Sequence, residues 1–561
     1  MTANISHLAQ QICAGGQRTA FLFAGQAGEY FAELRRDALA WPAVMGLVIR
    51  VEAALKAEAD SPEARNSGLL ETPLHLQRWL ESEEPTVDAA ILASSIVSQP
   101  LIFLTQAAHL LAAENIGFPR HSWPHIAVTA GHSQGLMTSV LLASVAGGKD
   151  FADEVVRICR YFFWQGIRMQ QSFPDGAGNR RQLQAHYDRF DEGYPSPMAA
   201  IKGLSPAALD KALAELDPGD LSGPMVRSLV NGPDRLVVSA DPGDLVQLRL
   251  CLAKAPIHWE FLRTSAPFHS PYMAPALDAF RKDLKRLNIS FAAADLAIPV
   301  LSTADGSNLQ EAPDLTEALL SAQFVKPVDW LTVCRCVAEN YQVQSVIDWG
   351  PQTTVARLVS ENLEGLGVAV LAAEDPDERS LVFAAEGAVE PPPRWADTAP
   401  TTVQLPDGSF RLANRFTEHT GFQPLFGGGM TPTTTTTEIV TAAAQEGYIV
   451  EWAGGGQVTA KVFRQRLAAI AETLPEGSGI IFNALYLDPY LWQLHKPLLL
   501  ELRAEGYPIL GVTITGGIPP LEEAVAVLTE FHRAGICLNS LKVGGDNDIP
   551  RALAIAKALP E

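Results

Sequence analysis

Apolar residues follow two alternating patterns in the first part of the chain. Short apolar runs at 19–30 and 125–131 each lead into glycine, as buried strands do before a tight turn. The stretches 92–117 and 134–148 instead space their apolar residues as helices do, and glycine closes both. Strands and helices that alternate in this way predict an α/β fold.

The segment 198–255 is expected to be a separate small insert. Breaks rich in Gly, Pro and Asp bracket it, and its pattern is strand, helix, strand, strand, helix. That mixture indicates an α+β unit. The strand and strand–turn–helix patterns of the main fold return at 300–306 and 345–359.

A segment rich in Pro, Asp and Thr comes next, and we interpret it as a linker over 376–407. A second alternating pattern of strands and helices follows it. Five short apolar strands then alternate with helical patterns, and four of the strands end in glycine clusters or a Gly-rich turn. This repeat predicts parallel strands in a barrel or an open sheet. Five βα units are three fewer than a closed (β/α)₈ barrel contains, so 408–561 is expected to be an incomplete barrel.

Composition narrows the class of protein. The 561 residues include 42 Lys and Arg against 63 Asp and Glu, a net charge of −21. This balance argues against nucleic acid or an anionic membrane as the main partner. The N-terminus lacks the pattern of a signal peptide, and no uninterrupted apolar stretch approaches about 18 residues. We therefore expect a cytoplasmic protein with no membrane-spanning segment.

The cysteines do not indicate a disulfide framework, because there are six in a long chain. Cys334 and Cys336 form a C-x-C pair that could ligate a metal. The surrounding residues have the pattern of an amphipathic helix, and no second ligand pair accompanies them. We favour the helix and expect no metal site.

The sequence "GHSQG" places Ser133 between Gly131 and Gly135, between a predicted strand and a predicted helix. A sharp turn there would expose the serine hydroxyl, and the following helix would aim the Gln134 amide at developing negative charge. A serine that only caps the helix is the alternative.

A nucleophilic serine also needs a base. His132 adjoins it, but neighbours on a sharp turn point in different directions. His269 in "APFHS" is the better candidate, because Pro267 and Pro271 would stiffen its loop. A purely structural histidine is the alternative.

Four motifs in order, "FLFAGQAGEY", "GHSQG", "APFHS" and "DWGP", resemble the acyltransferase family of fatty acid and polyketide synthases. "SQPLIFLTQAAHLL" and "FFWQGIRMQ" narrow the resemblance to the N-terminal acetyltransferase of fungal and actinobacterial type I fatty acid synthases. It covers about 18–375. It implies an α/β-hydrolase-like core with a ferredoxin-like insert, assigned to 1–375 with the insert at about 198–255.

The resemblance also implies residue roles. Ser133 would be the acyl-accepting nucleophile and His269 its base. Gln26 and Gln134 would give backbone amides to the oxyanion hole, and Phe268 would lie beside the substrate. The implied partners are acetyl-CoA, an acyl carrier domain and the rest of a synthase, with no cofactor for this domain.

Residues in "FFWQGIRMQ" bear on substrate choice. Malonyl-loading relatives carry an arginine before the glycine, which forks onto the malonyl carboxylate. Here Gln165 stands before Gly166. Gln165 cannot neutralise a carboxylate, so we expect acetyl specificity. Arg168, three residues on, leaves malonyl loading as the alternative, and a structural unit without isolated activity is a third possibility.

The second part of the chain, about 408–559, resembles the FMN-dependent enoyl reductase of the same synthases through "GGGMTPTT", "AGGGQVTA", "FNALYLDP" and "LKVGG". The family's next segment, with the phosphate loop and catalytic histidine, has no counterpart here. We therefore expect this chain not to hold FMN. The residues matching flavin contacts are Gly429, Met430, Thr431, Asn483 and Lys542.

Overall fold

Two units make up the chain, Met1–Asp397 and Thr398–Glu561, and each has its own hydrophobic core. The computed structural model describes residues 5–25, 29–69, 73–82, 87–173, 180–190, 192–217, 219, 221–404, 408, 410–474 and 477–559.

The strands of the first unit form two sheets. They are β1 (Thr19–Phe23), β2 (Val128–Gly131), β3 (Met198–Lys202), β4 (Val226–Gly232), β5 (Arg235–Ser239), β6 (His258–Phe261), β7 (Val300–Leu301), β8 (Val328–Asp329), β9 (Ser345–Asp348) and β10 (Ala369–Ala372). The central sheet is parallel throughout, in the order β10-β9-β1-β2-β7. All five residues of β1 are buried, as expected for a strand in the middle of a parallel sheet.

Helices alternate with the strands of the first unit, and α/β is the observed class. They are α1 (His7–Cys13), α2 (Tyr30–Ala40), α3 (Pro42–Ala59), α4 (Pro62–Arg65), α5 (Leu76–Glu81), α6 (Ala89–Ala93), α7 (Ser95–Ile116), α8 (Gly135–Ala146), α9 (Phe151–Ser172), α10 (Arg180–Arg189), α11 (Pro206–Ala214), α12 (Pro242–Cys251), α13 (Ala274–Leu287), α14 (Leu315–Phe324), α15 (Trp330–Arg335), α16 (Thr354–Asn362) and α17 (Pro376–Val382). The two longest, α7 and α9, pack against each other.

Helix α7 is a core helix by its burial. Its length and apolar composition would suffice to cross a membrane, and so would those of α2 and α3 taken together as a bent pair. In α7, however, 94% of the most apolar stretch is buried inside the protein. Gly117 ends it with φ 133°, a conformation that favours glycine.

The insert has the order β3-α11-β4-β5-α12-β6, and its strands lie as β6-β3-β5-β4 with antiparallel pairing. This is a split β-α-β pattern. The strand β6 belongs to it, so the insert extends to Phe261 rather than ending near 255. The strand β8, from outside the insert, adds to this sheet in parallel with β4.

The boundary predicted at 375 is wrong, because the segment after it packs on the first unit. Asp375 caps α17, and the α17 residue Val382 is fully buried. The backbone N–H of Trp395 donates to the Gly365 carbonyl, and the indole lies where a Cβ on Gly365 would be. The first unit therefore continues to Asp397, although its Pro-rich end has the composition of a linker.

The second unit begins with a hairpin and continues as a βα repeat. Its strands are β11 (Thr401–Gln404), β12 (Phe410–Ala413), β13 (Phe426–Gly427), β14 (Ile449–Val450), β15 (Trp452–Ala453), β16 (Ile480–Leu485), β17 (Ile509–Thr515) and β18 (Ser540–Leu541). Its helices are α18 (Arg415–Thr420), α19 (Glu438–Gln445), α20 (Ala460–Thr473), α21 (Pro489–Ala504), α22 (Leu521–Arg533) and α23 (Ile549–Ala558).

The predicted parallel strands are present in this unit. Strand β13 pairs with β14, and the sheet β15-β16-β17-β18 follows in sequence order. Only Glu451 separates β14 from β15, so the two are consecutive parts of one path of the chain. Parallel strands that neighbour one another in chain order are typical of a (β/α) barrel wall.

Candidate active site

Ser133 lies on a sharp turn between β2 and α8. Its φ is 51°, in the left-handed region that non-glycine residues rarely adopt. A Cβ on Gly131 would lie 1.9 Å from the Gly135 carbonyl carbon, and one on Gly135 would lie 2.4 Å from the Phe23 carbonyl oxygen. Both glycines are therefore required by close backbone packing, and the turn has the form of a nucleophile elbow.

His269 meets this serine. Its Nε2 lies 2.8 Å from Ser133 Oγ, and its Nδ1 lies 3.1 Å from the Lys326 carbonyl oxygen. The carbonyl can only accept, so Nδ1 carries the proton and Nε2 accepts from the serine hydroxyl. A backbone carbonyl thus orients the base here, where many triads use a carboxylate.

The loop that carries His269 is held by the insert sheet. Ser239, at the end of β5, donates its hydroxyl to the Phe268 carbonyl over 3.0 Å. Lys326 precedes β8, the strand that joins the same sheet. The insert therefore fixes both the base and the carbonyl that orients it. Phe268 is largely buried beside the base, at 8% exposure.

The base is neutral around neutral pH. Burial lowers the pKa of His269 to about 4, and the neighbouring His132 adds to that shift. A neutral imidazole can accept the serine proton. His132 itself points away from the serine, because its Nε2 lies 2.8 Å from Asn231 Oδ1 and its ring packs edge-on against Trp330.

The backbone N–H of Gln134 follows the nucleophile at the start of α8 and has no hydrogen-bond acceptor within the described part of the chain. It is a candidate oxyanion donor. Gln26, the other predicted donor, lies outside the described residues. The Ser133 carbonyl is held from behind by Gln323 Nε2 at 2.8 Å. The sequence analysis did not identify Gln323, which lies three residues before Lys326.

Gln165 connects to the nucleophile turn through Gln99. The Gln134 carboxamide donates to the Gln99 carbonyl at 3.4 Å, and the Gln165 carboxamide donates to Gln99 Oε1 at 3.2 Å. Gln165 is 1% exposed, and its Oε1 has no hydrogen-bond partner among the described residues. This group of three glutamines is polar but carries no charge of its own.

Arg168, for which a substrate-binding role is also expected, pairs with a carboxylate. Its Nε and Nη2 donate to the two oxygens of Asp283, at 2.6 and 3.0 Å. The guanidinium also lies over the Trp164 ring. The bidentate pairing with a buried carboxylate occupies the fork that a malonyl group would need.

In the second unit, the predicted flavin-contact residues collect at the carboxyl ends of the strands. A Cβ on Gly429 would lie 2.6 Å from the Asn483 side chain, and one on Gly428 would lie 3.1 Å from Lys542 Nζ. Met430 is half-exposed, and Thr431 Oγ1 lies where a Cβ on Gly455 would be.

A buried carboxylate organises this group, and the sequence analysis missed it. Glu451 accepts from the Gly429 N–H and from Asn483 Nδ2, each at 2.6 Å, and from the Thr513 hydroxyl. It is 1% exposed. A charged residue inside the apolar strand "YIVEWA" was the available signal, because buried charges need dedicated partners.

Two comparisons with known proteins concern the first unit. Residues 21–273 match the family model of the starter unit:ACP transacylase in aflatoxin biosynthesis. Among solved structures, the acyl carrier protein S-malonyltransferase of Vibrio cholerae aligns with 65% of this chain and 99% of its own. The identity is 21% and the TM-score 0.48.

Curated relatives extend the similarity over almost the whole chain. The fatty acid synthase subunit beta of Saccharomyces cerevisiae is 30% identical over 99% of this chain, and that of Schizosaccharomyces pombe is 32% identical over 87%. The alignments cover 28% and 24% of those relatives, so the chain spans about a quarter of their length. This chain is similar to fungal fatty acid synthase beta subunits over most of its length, and residues 21–273 within its first unit match the starter unit:ACP transacylase model.

Proposed function

We propose that the first unit transfers an acyl starter group from coenzyme A to the phosphopantetheine thiol of an acyl carrier protein, through an ester on Ser133. The observation that carries this proposal is the 2.8 Å contact between Ser133 Oγ and His269 Nε2 on a strained strand–helix turn. The match to a transacylase family and the similarity to fatty acid synthase subunits support it.

Each half-reaction uses the same groups. Ser133 Oγ attacks the thioester carbonyl carbon as its proton passes to His269 Nε2. The tetrahedral oxyanion accepts a hydrogen bond from the Gln134 N–H at the positive end of α8. Collapse breaks the C–S bond, and His269 returns the proton to the leaving coenzyme A thiolate. The pantetheine thiol then attacks the seryl ester in the reverse sense and regenerates the free serine.

We infer acetyl rather than malonyl as the starter. A malonyl carboxylate beside Gln165 would meet a carboxamide, and the nearby Arg168 guanidinium is already paired with Asp283. Burying an unpaired carboxylate costs roughly several kcal/mol of binding free energy. The small neutral acetyl group avoids this cost. Malonyl loading is the alternative.

Transfer to a carrier protein tests the proposal. The chain is incubated with radiolabelled acetyl-CoA and a phosphopantetheinylated acyl carrier protein, and label on the carrier is measured. Labelled carrier with the unaltered chain, and background label with His269→Ala, is the expected result. Equal labelling by both would remove the base from the account.

We further propose that the second unit is part of an FMN-dependent enoyl reductase. Its support is the run of parallel strands in chain order and the polar group at their carboxyl ends. The residues present fit one face of a flavin ring. Gly429 has no room for a side chain, and Asn483 is held by Glu451. Asn483 and Lys542 would hold the ring's polar edge. When bound, FMN supplies hydride transfer.

A further inference from the structure

Gln106 lies where three elements of the first unit meet. Its Nε2 donates to the Ala24 carbonyl at 2.7 Å and to the Gly350 carbonyl at 2.9 Å. Its Oε1 accepts from the Thr138 hydroxyl. Ala24 directly follows β1, Gly350 follows β9 by two residues, and Thr138 is in the first turn of α8. One carboxamide thus joins the two strand ends to the helix that begins behind Ser133.

The arrangement is fully buried and fully satisfied. Gln106 and Thr138 have no exposed surface, and every polar atom of the carboxamide has a partner. The orientation of the carboxamide is fixed, because its oxygen has a donor on one side and its nitrogen has two carbonyl acceptors on the other. A buried network of this kind is rigid, and loss of one partner leaves the others unpaired.

The position of Ala24 bears on the nucleophile. The next residue, Gly25, packs on the elbow: a Cβ there would lie 2.9 Å from the His132 carbonyl oxygen and 3.2 Å from Ser133 Cβ. The His132 N–H also donates to the Phe23 carbonyl. The end of β1 is therefore one wall of the elbow that carries Ser133, and Gln106 holds that wall by its last carbonyl.

A second polar side chain of α7 supports the same region. One turn further along, His109 Nδ1 donates to the Trp349 carbonyl at 2.8 Å. The Trp349 N–H in turn donates to Leu22 of β1. The motif "SQPLIFLTQAAHLL" therefore places two polar residues on a buried helix face, both directed at strand ends beside the elbow.

We propose that Gln106 is a positioning residue for acyl transfer. It holds Ala24 and Gly25 against the elbow, so that Ser133 Oγ and the Gln134 N–H keep the separation that the tetrahedral intermediate requires. This inference rests on the proposed function of Ser133. Misplacement of reacting groups by about 1 Å can cost about 100-fold in rate, which is the scale of effect to be measured.

The test is single-turnover acylation by acetyl-CoA, with the rate at saturation and the half-saturation concentration measured separately. Gln106→Met keeps the side-chain length but removes the donor. Thr138→Val removes the hydroxyl that orients the carboxamide, and Thr138→Ser retains it. Thr105→Val is the matched control, because Thr105 is equally buried on α7 but its hydroxyl donates to Leu101 of its own helix at 2.8 Å, with a longer contact of 3.4 Å to the Tyr30 carbonyl.

Gln106→Met and Thr138→Val are expected to lower the saturated rate per folded site by about 10- to 100-fold, with half-saturation unchanged within about twofold. Thr138→Ser and Thr105→Val should keep the rate within about threefold. Folded sites are counted by circular dichroism and thermal unfolding. Full rates per folded site in Gln106→Met would overturn the inference and leave the proposed function standing. Failure of the unaltered chain to become acylated would overturn both.

Discussion

Ser133 and His269 meet across 2.8 Å, and each holds a left-handed backbone, with φ of 51° and 55°. Neither is glycine, so both conformations are strained. The surrounding contacts maintain them: Gln323 binds the Ser133 carbonyl, and Ser239 binds the Phe268 carbonyl beside the base. The strain aims both side chains at one point, where an acyl carbonyl would be attacked.

The pH dependence of acylation should reflect the buried base. Because burial lowers the pKa of His269 to about 4, the imidazole stays neutral well below its ordinary titration range. We expect kcat/KM for acylation to stay level from pH 7.5 to about 5 and to fall only as the pH drops towards 4. Stopped-flow acylation across this range measures it.

The stability of the folded chain, like the acylation rate, should fall as the pH is lowered. An unfolded histidine titrates near 6.5, so between pH 6.5 and 4 the unfolded chain binds more protons than the folded one. The free energy of unfolding should therefore fall as the pH is lowered through this window.

An acylation rate that already falls near pH 6.5 would contradict the first of these two predictions. It would mean that the base is solvated and that the dyad geometry is different in solution.

Gln165→Arg should shift selectivity towards malonyl. The new guanidinium, at a position where Gln165 is buried, would pair with the malonyl carboxylate, and a hydrogen bond to a charged group contributes about 1.5–3 kcal/mol. The malonyl-to-acetyl ratio of kcat/KM should rise by about tenfold or more. Competition between the two coenzyme A esters, read by mass spectrometry of the acyl-enzyme, measures this ratio.

Arg168→Met is the matched control for selectivity. It breaks the pairing with Asp283, although Arg286 remains 3.2 Å from that carboxylate. We expect lower stability but an unchanged malonyl-to-acetyl ratio. If Arg168→Met abolishes malonyl transfer and Gln165→Arg changes nothing, Arg168 rather than Gln165 selects the substrate.

Much of the catalytic site could be predicted because its signals are local. Gly131 is required by its contact with Gly135, four residues on, so a short motif contains this constraint, whereas Gly135 is required by the carbonyls at the distant end of β1. The Lys326 carbonyl that orients His269 could not be predicted, since every residue has a backbone carbonyl. Glu451 was missed because its partners Gly429, Asn483 and Thr513 come from separate strands.

The domain boundary shows the limit of composition as evidence. The segment after 375 is rich in Pro, Asp and Thr, and that composition predicts a linker. Two apolar residues show that the segment instead packs on the first unit: Val382 is buried, and Trp395 lies against Gly365. Such a contact depends on tertiary packing, which a composition average over a window does not register.

Gly135→Ala should destabilise the first unit. The added Cβ would lie 2.4 Å from the Phe23 carbonyl and 2.6 Å from that of Ala24, so α8 must move away from β1. Overpacking of this kind costs about 1–3 kcal/mol in free energy of unfolding. Gly46→Ala is the control, because it lies exposed within α3 with open space around its Cβ. Chemical denaturation should show loss in the first variant and none in the second.

The purified 561-residue chain should be colourless. If the second unit is part of an FMN-dependent enoyl reductase, its described strands would contact one face of the flavin ring, whereas the loops after the later strands of such barrels hold the phosphate. Phosphate contacts are charge-assisted and strong, so FMN affinity should be low. Absorbance at about 450 nm that corresponds to one flavin per chain would contradict this prediction. It would show that the polar group around Glu451 is enough to bind FMN.

Acylation of Ser133 itself tests the central claim most directly. The chain is mixed with acetyl-CoA, quenched in acid and digested, and the peptide containing residues 129–137 is analysed by mass spectrometry. We predict one acetyl group on Ser133, none in Ser133→Ala, and near-equal thermal stability of the two proteins, because one hydroxyl at an active site adds little stability. An unmodified Ser133 in the unaltered chain, or an acetyl adduct that persists in Ser133→Ala, would contradict the account.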